Sequence, residues 1–163
     1  MYSKHLVRIA FVMIFCLFFI HTGIGQETEK AFIWNADDEN LEWLPCPEFM
    51  PEGCQLAVLQ GNPEDRNADI FFKLPGGTTV PHHWHTSAER MVLISGELHV
   101  DYDGQEPIVM KPGTYAYGPA ELPHATSCVS DDPCILFIAF EEPVDAIPVE
   151  GCCGDSESTE ERP

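Results

Sequence analysis

From Leu56 onward the chain is a succession of short apolar runs separated by turn residues: "LAVLQG", "IFFKLPGG", "TVPHHWH", "MVLISG", "LHVDYDG", "IVMKPG", "TYAYGP", "HATSCV" and "CILFIAF". Brief runs rich in Val, Ile, Phe and Tyr, broken by Gly-Gly, Asp-Gly and Pro-Gly, are the pattern of an all-β sandwich or barrel. The firmest turn is Asp103-Gly104, between "LHVDY" and "QEPIVM", which predicts a β-hairpin. Upstream, Phe32 and Trp34 lie two apart and predict an edge strand, followed by the Pro-rich loop "LPCPEFMPEG". No stretch carries helical periodicity, and no repeat is present. With 163 residues the chain suits one domain.

Two ends depart from this pattern. At the start, Lys4 and Arg8 precede an apolar run from Ile9 to Ile20, followed by Gly23 and Gly25. This is the layout of a secretory signal over residues 1–25, with cleavage expected between Gly25 and Gln26. The rival, a membrane anchor, needs roughly 18 to 20 apolar residues, and the run is shorter. At the other end, residues 146–163 read as an acidic, cysteine-containing tail without structure of its own, which leaves 26–145 as the folded domain.

Export changes the meaning of the cysteines. Cys16 lies in the signal; Cys46, Cys54, Cys128, Cys134, Cys152 and Cys153 remain, and an even number in an exported chain reads as disulfides. Cys128 and Cys134 bracket the turn sequence "VSDDP" and predict a bridge across a hairpin mouth, while Cys46 and Cys54 could staple the loop "PEFMPEG". Cys152 and Cys153 could pair with each other, link two chains or stay free. A zinc knuckle is disfavoured because no CxxC spacing occurs. The formal charge is −19, and loss of Lys4 and Arg8 with the signal makes it −21. Such a field repels nucleic acid and anionic membranes and favours solubility. A secreted or periplasmic protein is expected, and a homodimer stays open.

The chemistry concentrates in "PHHWHTSAE", which holds three of the chain's seven histidines. In a strand His83 and His85 share a face, with His82 and Trp84 on the other. A turn or bulge through "TSA" can return Glu89 to the same point. Gly77 and Gly96 mark turns on either side. Downstream, Gly113, Pro119 and His124 form a second frame that can bring one more imidazole. His82 reads as a surface residue or an outer partner of the ligands, and His99 as solvent-facing. Tyr115 and Tyr117 share a face and could line a cavity; Glu121 could act as a base at its mouth. Neither a phosphate loop nor a GxSxG elbow is present.

These residues carry a family likeness. "GTTVPHHWHTSAERMVLISG" resembles the first motif of the cupins, and "GTYAYGPAELPHATSC" resembles the second, with Glu121 where that motif has glycine and Cys128 where it has asparagine. The surroundings are most similar to small single-domain cupins related to the carboxy-terminal domain of the anti-sigma factor ChrR. The resemblance implies a jelly-roll β-barrel of roughly six to eight strands with one divalent transition-metal ion (Fe, Mn, Ni or Zn) held by His83, His85, Glu89 and His124. Three imidazoles and a carboxylate leave coordination positions open.

Two functions are compatible with that site. One is a metal-dependent dioxygenase acting on a small, oxygen-rich organic molecule, with Glu89, Glu121 and Tyr117 as candidate catalytic groups; lyase or isomerase chemistry could use the same site. The other is a module that binds metal or a small ligand without turnover. A wall of apolar side chains alone would favour the second, and a glutamate or tyrosine aimed at the ion the first.

Overall fold

The alternation read from the sequence becomes two antiparallel sheets. The computed structural model describes residues 30–150, and the unit that carries the fold begins at Trp34. Its strands are β1 (Leu44–Pro45), β2 (Gln55–Gln60), β3 (Asp69–Leu74), β4 (Thr79–Trp84), β5 (Glu89–Ser95), β6 (Leu98–Tyr102), β7 (Ile108–Met110), β8 (Tyr115–Gly118), β9 (His124–Cys128), β10 (Cys134–Phe140) and β11 (Ile147–Pro148). One sheet has the order β1-β2-β3-β10-β5-β8 and the other β11-β4-β9-β6-β7. No helix occurs among the described residues. The expected all-β jelly roll is therefore the fold, with eleven strands among the described residues where the resemblance implied roughly six to eight; two of them, β1 and β11, are only two residues long.

Period-two alternation explains why the sheets face one another. In β5 Glu89, Met91 and Leu93 are buried while Arg90 and Ile94 are exposed; in β10 Cys134, Leu136, Ile138 and Phe140 are buried. These side chains meet Val80, Leu98, Val100 and Met110 from the other sheet in one core. Each large apolar side chain removed from water there contributes about 1.5–3 kcal/mol. A second, smaller cluster forms on the outer face of the larger sheet, where Leu41 and Trp43 cover Ala57, Phe71 and Phe137.

The Asp103-Gly104 hairpin joins β6 and β7, with Gly104 at φ +74°, a conformation that costs glycine little. The edge strand predicted at Phe32 and Trp34 is not formed. The Trp34 indole donates instead to the Leu59 carbonyl at 3.1 Å, so the residue packs by its side chain where backbone pairing was expected.

Cys46–Cys54 and Cys128–Cys134 are both disulfides, compatible with an oxidising location. The second does not span a hairpin mouth. Its cysteines stand on β9 and β10, which belong to different sheets and pair with other strands. The bridge consequently ties one sheet to the other. Cys152, Cys153 and the secretory signal lie outside the described residues; among those described, no helix is long and apolar enough to cross a membrane. The barrel also runs past the boundary expected at 145, since Ile147 and Pro148 pair with Trp84 and His83 of β4. Proline is tolerated there because β11 is an edge strand.

Candidate metal centre

Three strands deliver the polar cluster to the inside of the barrel. A register shift in β4 between Val80 and His83 turns both Val80 and His83 inward, as a β-bulge does. His85 follows on the same side. Glu89 opens β5 and His124 opens β9, with His83 directly opposite His124 across the β4–β9 pair. The imidazole centroids are 4.4 Å apart for His83 and His124, 4.9 Å for His83 and His85, and 5.3 Å for His85 and His124. One ligating nitrogen from each ring lies within 4.8 Å of the others. Glu89 Oε1 is 3.4 Å from His85 Nε2, and its Oε2 is 3.7 Å from His124 Nε2. All four side chains are buried.

The backbone determines which nitrogens face the cluster. His83 Nδ1 lies 2.8 Å from the Pro81 carbonyl, His124 Nδ1 lies 3.1 Å from the Leu122 carbonyl, and His85 Nδ1 meets the Asp145 carbonyl. A carbonyl can only accept, so each Nδ1 carries a proton and each Nε2 is the nitrogen turned to the cluster. Three imidazoles anchored through Nδ1 beside a carboxylate are a donor set that suits a divalent transition metal, and such anchoring orients ligating histidines.

Burial shapes the electrostatics. Desolvation first, then the neighbouring imidazoles, push His83 down to about 3 and His124 down to about 4. Desolvation raises Glu89 above the usual carboxylate range, against the pull of His85. Both histidine values lie below the ordinary imidazole value, so from about pH 6.5 downward the unfolded chain binds more protons than the folded one. The stability that this supplies is present above pH 6.5 and is lost as pH falls toward 3. Glu89 has the opposite sign: its contribution is present in acid and is lost as pH rises through its folded value. Metal-free Glu89→Gln protein, freed of that opposition, should therefore show a steeper acid-side fall in stability than the parent, at a limiting slope of about 1.4 kcal/mol per pH unit per imidazole. Melting temperatures recorded from pH 7.5 to pH 4 check this, and a flat Glu89→Gln profile would contradict it.

The cluster borders a cavity of about 130 Å³. Its other walls are mainly apolar, among them Met50, Phe72, Met91, Leu136 and Phe140, with Thr126 and Asp145 as additional polar groups and no lysine or arginine among the described residues.

Residues 70–140 match the family model described as a cupin domain, and the site's histidines and glutamate fall within that span. Over that span the chain has the cupin fold. No curated protein matches the sequence, but solved structures share the fold. The DMSP lyase DddQ from Ruegeria pomeroyi DSS-3 aligns at a TM-score of 0.59 and 20% identity over 71% of this chain. The polyketide cyclase RemF from Streptomyces resistomycificus aligns at 0.60 and 16% over 72% of this chain and 86% of its own. An oxalate oxidase aligns at 0.53 and 18% over 65% of this chain and 60% of its own. This chain spans 64% of the DddQ chain, just under two thirds. At such identities the likeness is one of fold.

Not every residue singled out from the sequence reaches the barrel's interior. Tyr115 and Tyr117 are 59% and 52% exposed and do not line the cavity. On β8 it is Ala116 and Gly118 that face inward, and at 118 a larger side chain would collide with Tyr102 on the opposite sheet. Glu121 is exposed too; it occupies a turn at φ +60°, the left-handed region that explains why glycine suits this position. Its backbone N–H donates to the His85 carbonyl at 2.8 Å, so Glu121 braces the site through its main chain and its carboxylate is not at the cavity wall. His82 lies on the other side of β4, 2.8 Å from Asp103 Oδ1, and His99 is half-exposed beside Glu97.

Two contributors were not foreseen. Asp145 anchors His85 by its carbonyl, while its carboxylate accepts from the Thr86 backbone N–H at 2.9 Å and hydroxyl at 2.8 Å. The loop closed by Cys46–Cys54 supplies Pro47 and Met50 to the cavity wall and carries Phe49, whose ring centroid is 6.0 Å from that of His83.

Proposed function

We propose that this protein is an exported, metal-dependent dioxygenase in which His83, His85, Glu89 and His124 hold one divalent transition-metal ion. The observation that carries the reading is the set of three Nε2 nitrogens, each fixed by an Nδ1–carbonyl contact and converging beside a buried carboxylate. An ion bound there would supply Lewis acidity and redox reach toward dioxygen. The protein's own part is to hold the ligands, keep water out and orient the substrate. The walls narrow the substrate class: with no cation among them and a formal charge of −19 over the chain, a polyanionic substrate meets repulsion and no counter-charge. A small uncharged molecule with one oxygen-bearing end for the ion and an apolar remainder fits better than an oxygen-rich one.

Protein reconstituted separately with Fe(II), Mn(II) and Ni(II) should consume dioxygen with β-diketones bearing apolar substituents and ignore small dicarboxylates. A metal-loaded protein inert toward every one of these would overturn the reading. A non-catalytic binding module is the second reading, and one observation favours it. Neither Glu121 nor Tyr117 reaches the cavity, and the Asp145 carboxylate is already engaged by Thr86. Tight, saturable uptake of metal and an apolar oxygen ligand without turnover would support that alternative.

A further inference from the structure

Behind Glu89, away from the cavity, lies a buried hydroxyl that the reading above leaves without a role. Tyr102 ends β6 and is 3% exposed. Its Oη is the one buried side-chain polar atom among the described residues without a hydrogen-bond partner. Leaving such a group unpaired in an apolar interior is destabilising, and phenylalanine would fill the same volume without that cost.

Register shows what the hydroxyl is near. Tyr102 pairs with His124 across β6–β9, and His124 with His83 across β9–β4, so the three form one inward row on the smaller sheet. The Tyr102 and His124 ring centroids are 4.9 Å apart. On the facing sheet Glu89 is paired with Gly118. A methyl group built on Gly118 would stand 2.6 Å from Tyr102 Oη and 3.3 Å from Glu89 Oε2. The hydroxyl and the carboxylate therefore flank one small gap, and only glycine at 118 leaves it open. A phenol hydroxyl is a donor to a carboxylate oxygen.

We propose that Tyr102 is a positioning residue for the metal site: its hydroxyl donates to Glu89 Oε2 when the carboxylate joins His83, His85 and His124 around an ion, and Gly118 provides the space for that contact. The inference rests on the metal reading above. The unpaired hydroxyl is tolerated in the metal-free protein because it becomes paired once the ion is bound. Outer partners of this kind are worth about 10- to 100-fold in metal affinity.

The test is Co(II) titration followed by visible absorption, with melting temperatures of the metal-free proteins alongside. Tyr102→Phe should melt at or above the parent temperature when metal-free, yet bind Co(II) about tenfold more weakly. In a Glu89→Gln background the same substitution should change the affinity little, because the acceptor that couples the two is altered. Gly118→Ala should weaken Co(II) binding by displacing the hydroxyl. Parent-like affinity in Tyr102→Phe, or an equal loss with and without Glu89, would overturn the inference while leaving the metal site intact. A parent protein that takes up no Co(II) would instead remove the metal reading, and this inference with it.

Discussion

His85→Ala will abolish most divalent-metal binding, while His82→Ala will leave it nearly unchanged. The two residues lie on opposite sides of β4 and meet different chemistry. His85 turns Nε2 toward Glu89 at 3.4 Å and is fixed from behind by the Asp145 carbonyl, so its loss removes a ligand and leaves the carboxylate facing one imidazole fewer. The affinity should fall by more than the about 100-fold that outer partners cost at most. His82 reaches Asp103 near the surface, and an exposed pair of that kind is worth about 0–1 kcal/mol. Metal content after dialysis against a weak chelator, measured for both variants and the parent, reads the difference. Equal losses would mean that the inward register of β4 is not the one described here.

The second large effect concerns the covalent tie between the sheets. Replacing Cys128 and Cys134 by serine, or reducing the bridge, opens a link that joins β9 of one sheet to β10 of the other across a sequence separation of 6. Chain entropy alone assigns such a short loop about 2–3 kcal/mol. That is a substantial part of the 5–15 kcal/mol typical of a domain. Both cysteines are fully buried, so the serine variant should lose somewhat more than the reduced protein through its unpaired hydroxyls. The melting temperature should fall by several degrees. Metal affinity should change less, because His124 and Cys128 stand at opposite ends of β9. A double-serine variant as stable as the oxidised parent would refute the structural role of the bridge.

Much of this architecture is written in the chain locally. The strands follow from alternation and turn residues, and the pairing of His83 with His85 follows from strand geometry alone. What stayed hidden is whatever depends on how one sheet meets the other. "TYAYG" alternates equally well with either set inward; only the proximity of Tyr102 to Gly118 shows why the small residues face in. The same alternation that turned His99 outward placed Tyr102 on the inner side with Leu98 and Val100, but nothing in the sequence sets it level with Glu89. Asp145 escaped notice because its effect on His85 runs through a backbone carbonyl that any residue carries. Glu121 looked like chemistry because of its side chain, whereas the structure uses its turn conformation and its N–H.

The part played by Asp145 bears on the order in which the site can be assembled. Synthesis runs from the amino terminus, so His83, His85, Glu89 and His124 all exist before the carbonyl that fixes the His85 ring and before Ile147–Pro148 can add to β4. A nascent chain that has just completed β9 holds every proposed ligand, but the His85 imidazole still lacks the carbonyl that fixes it. On the metal reading proposed above, firm capture of an ion would wait for the segment after β10 to fold back, so metallation would be a late event coupled to the closing of the barrel's last edge.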